Sequence, residues 1–239
     1  MKRFVITILS LVPLSFFGWS QTISPVKLLE NAINYHDPNG NWKTFNDSIH
    51  IVMATPKALN RDSKIYINLP QDYFSLTASS KGNTTFYELS NGLCQMAFNG
   101  QPIDSLTAKD KGLSCNRAQL YKNYYTYLYG LPMKLEDSNT NINYPVELKK
   151  FNGKAYFVLK ATYEAVGTDI WYFYFDPQTY AMKAYQFYKT DATGKRIPSS
   201  GEYITLDELS VVNGIKMPKI RNWYSNKNGE LLGTDTLMN

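Results

Sequence analysis

Chemistry has few places to start in this chain, because His36 and His50 are its only histidines and Cys94 and Cys115 its only cysteines. The densest run of reactive types is Tyr35-His36-Asp37-Pro38-Asn39-Gly40-Asn41-Trp42. A His beside an Asp suggests general acid–base work. Adjacent side chains project in different directions, however, and neither a Gly-x-Ser-x-Gly elbow nor a His-Glu-x-x-His zinc helix accompanies them. Asp37, Asn39 and Asn41 alternate as calcium ligands do, but an EF-hand loop needs Gly at its sixth place and Glu at its twelfth. This chain has Trp42 and Ser48 there. With two histidines and no ligand spacing, zinc has no recognisable site, and neither metal nor cofactor is expected. Ser24-Pro25-Val26-Lys27 matches the Ser-x-x-Lys of penicillin-binding enzymes without its companion motifs. A hydrolase centred near His36 is therefore the weakest of the functional readings. The stretch reads better as a turn, with Asp first, Pro preset second, and Asn and Gly able to take positive φ. His36 then ends a helix, where a protonated imidazole suits the helix dipole, and Trp42 begins a strand.

The elements that must position these residues start after a leader. MKRFVITILSLVPLSFFGWSQ has two basic residues, a short apolar run, and the small residues Gly18 and Ser20. That is the pattern of a secretory signal peptide over residues 1–20. Its apolar run is shorter than the roughly 20 residues of a membrane span, so the expectation is an exported periplasmic or secreted protein with no span in the mature chain. Removing Lys2 and Arg3 takes the formal charge from +5 to +3, too mild for a nucleic-acid partner. The remaining chain of about 219 residues suffices for one domain, 21–239. Cys94 and Cys115 both follow the leader, and an oxidising compartment makes a disulfide between them the expectation.

Ser24-Pro25 is a helix opening, an N-cap followed by Pro at the first helical position. Val26, Leu29 and Ile33 follow at helical spacing, and Pro38 stops the helix. From Trp42 the pattern turns to period 2, in segments rich in β-branched and aromatic residues. Six Asn-Gly pairs, at Asn39, Asn91, Asn99, Asn152, Asn213 and Asn228, supply hairpin signals. One helical insertion interrupts the meander over NRAQLYKNYYTYLYGLPMKLED, with Leu120, Tyr124, Tyr127 or Leu128, and Leu131 on one face and Tyr121, Tyr125 and Tyr129 on its neighbour. The fold class is thus mainly β (α+β): a single curved antiparallel sheet, which tends to close on itself or be covered by helices, with an N-terminal helix and a mid-chain helical insertion.

WYFYFDPQTYAMKAYQFYK and VNGIKMP, taken with the short first helix and the helical insertion, resemble the periplasmic lipoprotein-carrier superfamily. More narrowly, YHDPNGNW, YYTYLYGLPMKLED, WYFYFDPQT and LLGTDTL resemble a family of exported bacterial proteins placed beside those carriers. The resemblance implies a half-barrel around a helical lid, a lipid or acyl chain held in its concave face, and no catalytic residues. One departure stands out: with 19 Tyr and 12 Phe the cavity wall would be aromatic, hence smaller, more polar or filled, since a buried phenol needs a partner. Candidate ligand contacts are Tyr124, Tyr125, Tyr129, Trp171, Trp223, His36 and Trp42, with Lys134, Arg117 or Arg221 available to meet an anionic head group. The leading expectation is a non-enzymatic protein binding an apolar or amphipathic ligand. The alternative is an interaction module that contacts an envelope protein or glycan.

Overall fold

The computed structural model describes residues 23–163 and 168–239. The expected signal peptide, 1–20, lies outside the described residues. Helix α1, Pro25–His36, begins as anticipated: the Ser24 hydroxyl accepts the Lys27 amide at 3.2 Å, and Leu28, Leu29, Ala32 and His36 face inward. The strands are β1 Asn46–Thr55, β2 Ala58–Asn68, β3 Tyr73–Ser80, β4 Asn83–Ser90, β5 Leu93–Phe98 and β6 Gln101–Pro102. Helices α2, Ser105–Asp110, and α3, Cys115–Tyr129, follow. The rest is again β: β7 Thr140–Asn141, β8 Glu147–Phe151, β9 Lys154–Tyr163, β10 Ile170–Phe175, β11 Met182–Tyr188, β12 Glu202–Val212, β13 Ile215–Ser225 and β14 Leu231–Leu237. All pair antiparallel in one sheet, in the order 6-5-4-3-2-1-14-13-12-11-10-9-7, with β8 also on the outer edge of β9. The sheet is not closed, so the barrel is incomplete as expected.

Local chemistry explains the meander. At Asn91-Gly92, Asn99-Gly100, Asn152-Gly153 and Asn213-Gly214 both residues are left-handed, as tight hairpins with right-twisted strands require. Lys81-Gly82 makes the same turn between β3 and β4, a turn the Asn-Gly count cannot find. Asn39-Gly40 works differently: the Gly40 amide bonds the Asp37 carbonyl at 3.2 Å, and only Gly40 has positive φ.

Three expectations need correction. The first strand starts at Asn46, because residues Asn41–Thr44 form a 3-10 turn held by the Asp37 carboxylate, which accepts the Asn41 and Trp42 amides at 2.8 Å each. Helix α2, N-capped by Asp104, was not anticipated. On α3 the inward face is Ala118, Tyr125, Leu128 and Tyr129, whereas Leu120 is 67 % exposed. Five tyrosines spread over more than half of the helix, opposite Gln119, Lys122, Asn123 and Thr126, blur the narrower apolar stripe that reveals a buried face.

The buried core lies on one face of the sheet, under α1 and α3. Cys94 and Cys115 form the expected disulfide, with Cα atoms 5.9 Å apart, tying β5 to the first residue of α3. At the far end Gly130 abuts Trp42: a Cβ there would fall 2.4 Å from the indole, so only glycine lets the chain pass.

Candidate functional site under the tyrosine helix

Helix α3 reaches strands of both halves of the sheet through rings. Tyr125 stacks near Phe74 of β3 and Tyr124 on Trp223 of β13, while Tyr121 meets Tyr87 of β4 at a tilt and Tyr127 meets Trp171 of β10 edge-to-face. The Tyr127 phenol also meets that of Tyr163 on β9. The inner face beneath α3 is therefore packed with aromatic side chains, one of the three outcomes, smaller, more polar or filled, that the tyrosine count left open.

Beneath the helix lies one row of facing residues across four neighbouring strands. Arg61 on β2 pairs with Met53 on β1, Met53 with Asp235 on β14, and Asp235 with Arg221 on β13. Arg61 shares its side of β2 with Ser63, Ile65 and Ile67, since alternate residues share a face. Polar and charged groups thus occupy apolar register positions. Arg221 is 1 % exposed; it donates to the Pro218 carbonyl at 3.1 Å and the Leu128 carbonyl of α3 at 3.4 Å, and lies 3.9 Å over the Tyr129 ring. Arg61 donates to the Tyr125 hydroxyl at 3.2 Å. Asp235 accepts the Trp223 indole N–H at 3.2 Å through one oxygen.

The partners run out there. Thr55 Oγ1, Arg61 Nε, the Tyr129 hydroxyl and Asp235 Oδ1 are buried without a hydrogen-bond partner. Orphaned polar atoms are uncommon in a folded interior, and these crowd under one helix. Burial raises the pKa of the Asp235 carboxyl, and Arg221 and Arg61 oppose that rise. The Tyr129 and Tyr185 phenols are pushed well up by burial and stay protonated. Against the two middle members of the row a recess of about 180 Å³ opens, lined by Met53, Thr55, Tyr124, Glu202, Trp223, Leu232, Gly233 and Asp235.

Of the anticipated contacts, Tyr124, Tyr125, Tyr129, Arg221 and Trp223 come together here, and Trp171 adjoins them through Tyr185. The others lie apart. Lys134 pairs with Asp137, and Arg117 is exposed on the first turn of α3, so neither is placed to meet a head group under the helix. Trp42 packs on Phe45. His36 is fully buried: its Nδ1 donates to the Lys216 carbonyl at 2.7 Å and its Nε2 accepts the Met182 amide at 3.0 Å. Its pKa is held down to about 4 chiefly by burial, so the favourable dipole pairing open to a protonated imidazole is not used at neutral pH. Both nitrogens are spent on β11 and β13, and His36 anchors α1 to the sheet. Arg61, Ser63, Asp235, Tyr185 and Glu202 were not anticipated. Charges falling on the apolar register of a strand are the signal that marks the first and third.

Among the described residues no group of three or more His, Cys, Asp or Glu could hold a metal ion, and no helix is long and apolar enough to cross a membrane.

An unclosed antiparallel sheet with a helix laid over its inner face defines the fold as an open half-barrel. A LolA superfamily protein from Nitrosomonas europaea is similar, with a TM-score of 0.51 at 11% identity, over 91% of this chain and 92% of that one. A domain described as an outer membrane lipoprotein-sorting protein, from Vibrio parahaemolyticus, matches with a TM-score of 0.47 at 15% identity, over 90% and 92% of the two chains. A DUF1329 family protein from Desulfovibrio piger gives 0.47 at 10% identity, over 91% and 92%. By sequence the chain belongs to DUF6503, a family of unknown function, matched over residues 1–239. Among curated proteins none matches the sequence.

Proposed function

We propose that the protein is an exported, non-enzymatic carrier that takes an apolar or amphipathic ligand between α3 and the inner face of the half-barrel. The observation that carries this reading is the recess at Tyr124 and Trp223 leading toward orphaned polar groups beneath α3. Beyond the disulfide at its first residue, α3 is held by rings and a few polar contacts, so its later turns can lift without dismantling the sheet beneath them. The ligand's tail replaces aromatic contacts under the lifted helix, and its polar end supplies the missing hydrogen bonds. Export to the periplasm, by way of the N-terminal leader, belongs to the same reading. Protein purified from its native host is expected to carry a bound lipid or acyl compound, seen by native mass spectrometry and solvent extraction. Material free of any such compound, and unable to take one up from extracted membrane lipid, would refute it.

A second reading, contact with an envelope glycan or protein, is favoured by the opposite face of the sheet. Val158, Tyr174 and Ala184 form a separate cluster there, packed by Phe151, Tyr156 and Tyr172, and Tyr203 stacks on Tyr224 with centroids 4.9 Å apart. A groove of about 430 Å³ beside them is lined by Phe151, Tyr156 and Tyr224 together with Asp176, Lys183 and Asp207. Tyr156→Ala and Tyr224→Ala are expected to abolish capture of an envelope component while leaving lipid uptake intact. Unchanged capture by both variants would discard this surface.

A further inference from the structure

The recess lies toward the end of the sheet where β1 stops. Its wall includes Thr55, the last residue of β1, Glu202, the first of β12, and Leu232, next to the start of β14. Large apolar side chains stand bare at this end: Leu59 is 68 % exposed, Leu231 39 %, Leu232 38 % and Tyr124 37 %. Register holds Leu59 there, because its neighbour Ala58 pairs with Thr55. Apolar groups gathered in one exposed place, rather than scattered singly, mark a surface that meets a partner or a membrane.

Charge is divided between the two ends of the sheet. Successive antiparallel strands put alternate connections at opposite ends. At the recess end, the β1–β2, β3–β4, β11–β12 and β13–β14 connections carry Lys57, Lys81, Lys189 with Lys195 and Arg196, and Lys227, all exposed. At the other end, the β2–β3, β4–β5, β8–β9, β10–β11 and β12–β13 turns carry no Lys or Arg and include Asp72 and Asp176.

The basic connections touch in series. Ser80 Oγ donates to the Asn60 carbonyl at 3.2 Å, Lys57 meets Glu230 at 3.5 Å, and Asn226 Nδ2 donates to the Ser200 carbonyl at 2.8 Å. Glu230 and Asp191 are the only carboxylates on these connections, and Asp191 Oδ1 is occupied by the Thr193 and Lys195 amides. Lys189 faces Asp169 and Glu202. Lys81, Lys195, Arg196 and Lys227 take part in no ion pair among the described residues.

We propose that this end of the half-barrel docks on an anionic phospholipid surface, with its basic tips against the head groups and Leu59, Leu231 and Leu232 reaching into the interface. Basic side chains beside bare apolar ones fit such a surface, because the first are drawn to its negative potential and the second leave water. A neutral surface would leave the unpaired cations without a counter-charge. The inference goes beyond the carrier reading, and adds to it that the recess faces the bilayer.

Co-sedimentation of the mature protein with vesicles tests it, using phosphatidylcholine alone and phosphatidylcholine mixed equally with phosphatidylglycerol. Partitioning onto the mixed vesicles is expected to be at least about tenfold stronger and to fall as salt is raised. Lys81→Glu with Lys227→Glu should weaken it about tenfold, whereas the same change of charge at the far end, Lys43→Glu with Lys154→Glu, should cost much less. Leu59→Ser with Leu232→Ser should weaken binding that persists at high salt. Equal partitioning onto the two vesicle types, or equal losses from the two charge-reversed pairs, would overturn the docking surface. Protein that carries lipid yet binds neither vesicle would overturn the docking surface and leave the carrier reading standing. Protein that binds the mixed vesicles as described but neither carries nor takes up lipid would support the docking surface and refute the carrier reading.

Discussion

Lowering the pH from 7 to about 4.5 is expected to strip on the order of 3 kcal/mol from folding stability through His36 alone. The imidazole has an ordinary pKa of 6.5 and is held down to about 4 in the folded chain. Between those values the unfolded chain takes up a proton that the folded chain refuses. Stability is therefore complete above about pH 6.5 and drains away as the pH falls toward 4. The cause is geometric as well as dielectric, because a proton on Nε2 would face the Met182 amide, which already donates to that atom. Asp235 and Glu202, both raised by burial, act in the opposite direction, so total stability mixes several groups. His36→Gln isolates the effect, because an amide can donate to the Lys216 carbonyl and accept from Met182 without taking up a proton as the pH falls. Urea unfolding at pH 7 and pH 5 should show a smaller loss in His36→Gln than in the parent. Equal losses would place the acid sensitivity elsewhere.

Opening the disulfide is expected to cost about 3 kcal/mol by the loop-entropy relation, given a separation of 21 residues. Cys94→Ser with Cys115→Ser should lower the urea midpoint at pH 7 accordingly. The damage should concentrate at the start of α3, whose first residue is one of the two cysteines. Amide exchange there should accelerate well before it does in Leu128 and Tyr129, which remain packed beside Arg221. An unchanged midpoint with unchanged exchange in the first turns would show that packing alone holds the helix.

Much of the fold could be read because its signals are local. Asn213-Gly214 announces its own hairpin, and Ser24-Pro25 its own helix, within a few residues. The candidate site depends on alignment at long range. Arg61 and Asp235 stand in one row only because β1 lies between β2 and β14, and nothing near either residue encodes that neighbour relation. Arg221 was noticed as a cation, but not as one sealed beneath Leu128 and Tyr129. Arg117 and Lys134 looked equally suitable by type and sit elsewhere, because the turn of α3 decides which of its flanking charges face solvent. Tyr121, Tyr124, Tyr125, Tyr127 and Tyr129 spread over so wide a face of the helix that which of them are buried is chosen by the sheet it lands on.

An unclosed sheet leaves two borders where a second chain could add a strand, and this protein blunts both. At one border β6 is two residues long and contains Pro102, which has no amide hydrogen to offer. At the other, β8 has the sequence Glu-Leu-Lys-Lys-Phe, placing Lys149 and Lys150 on the rim. Short, proline-bearing and lysine-bearing borders resist edge-to-edge polymerisation. The half-barrel can thus keep the gap that admits a guest without inviting copies of itself to zip along its margins.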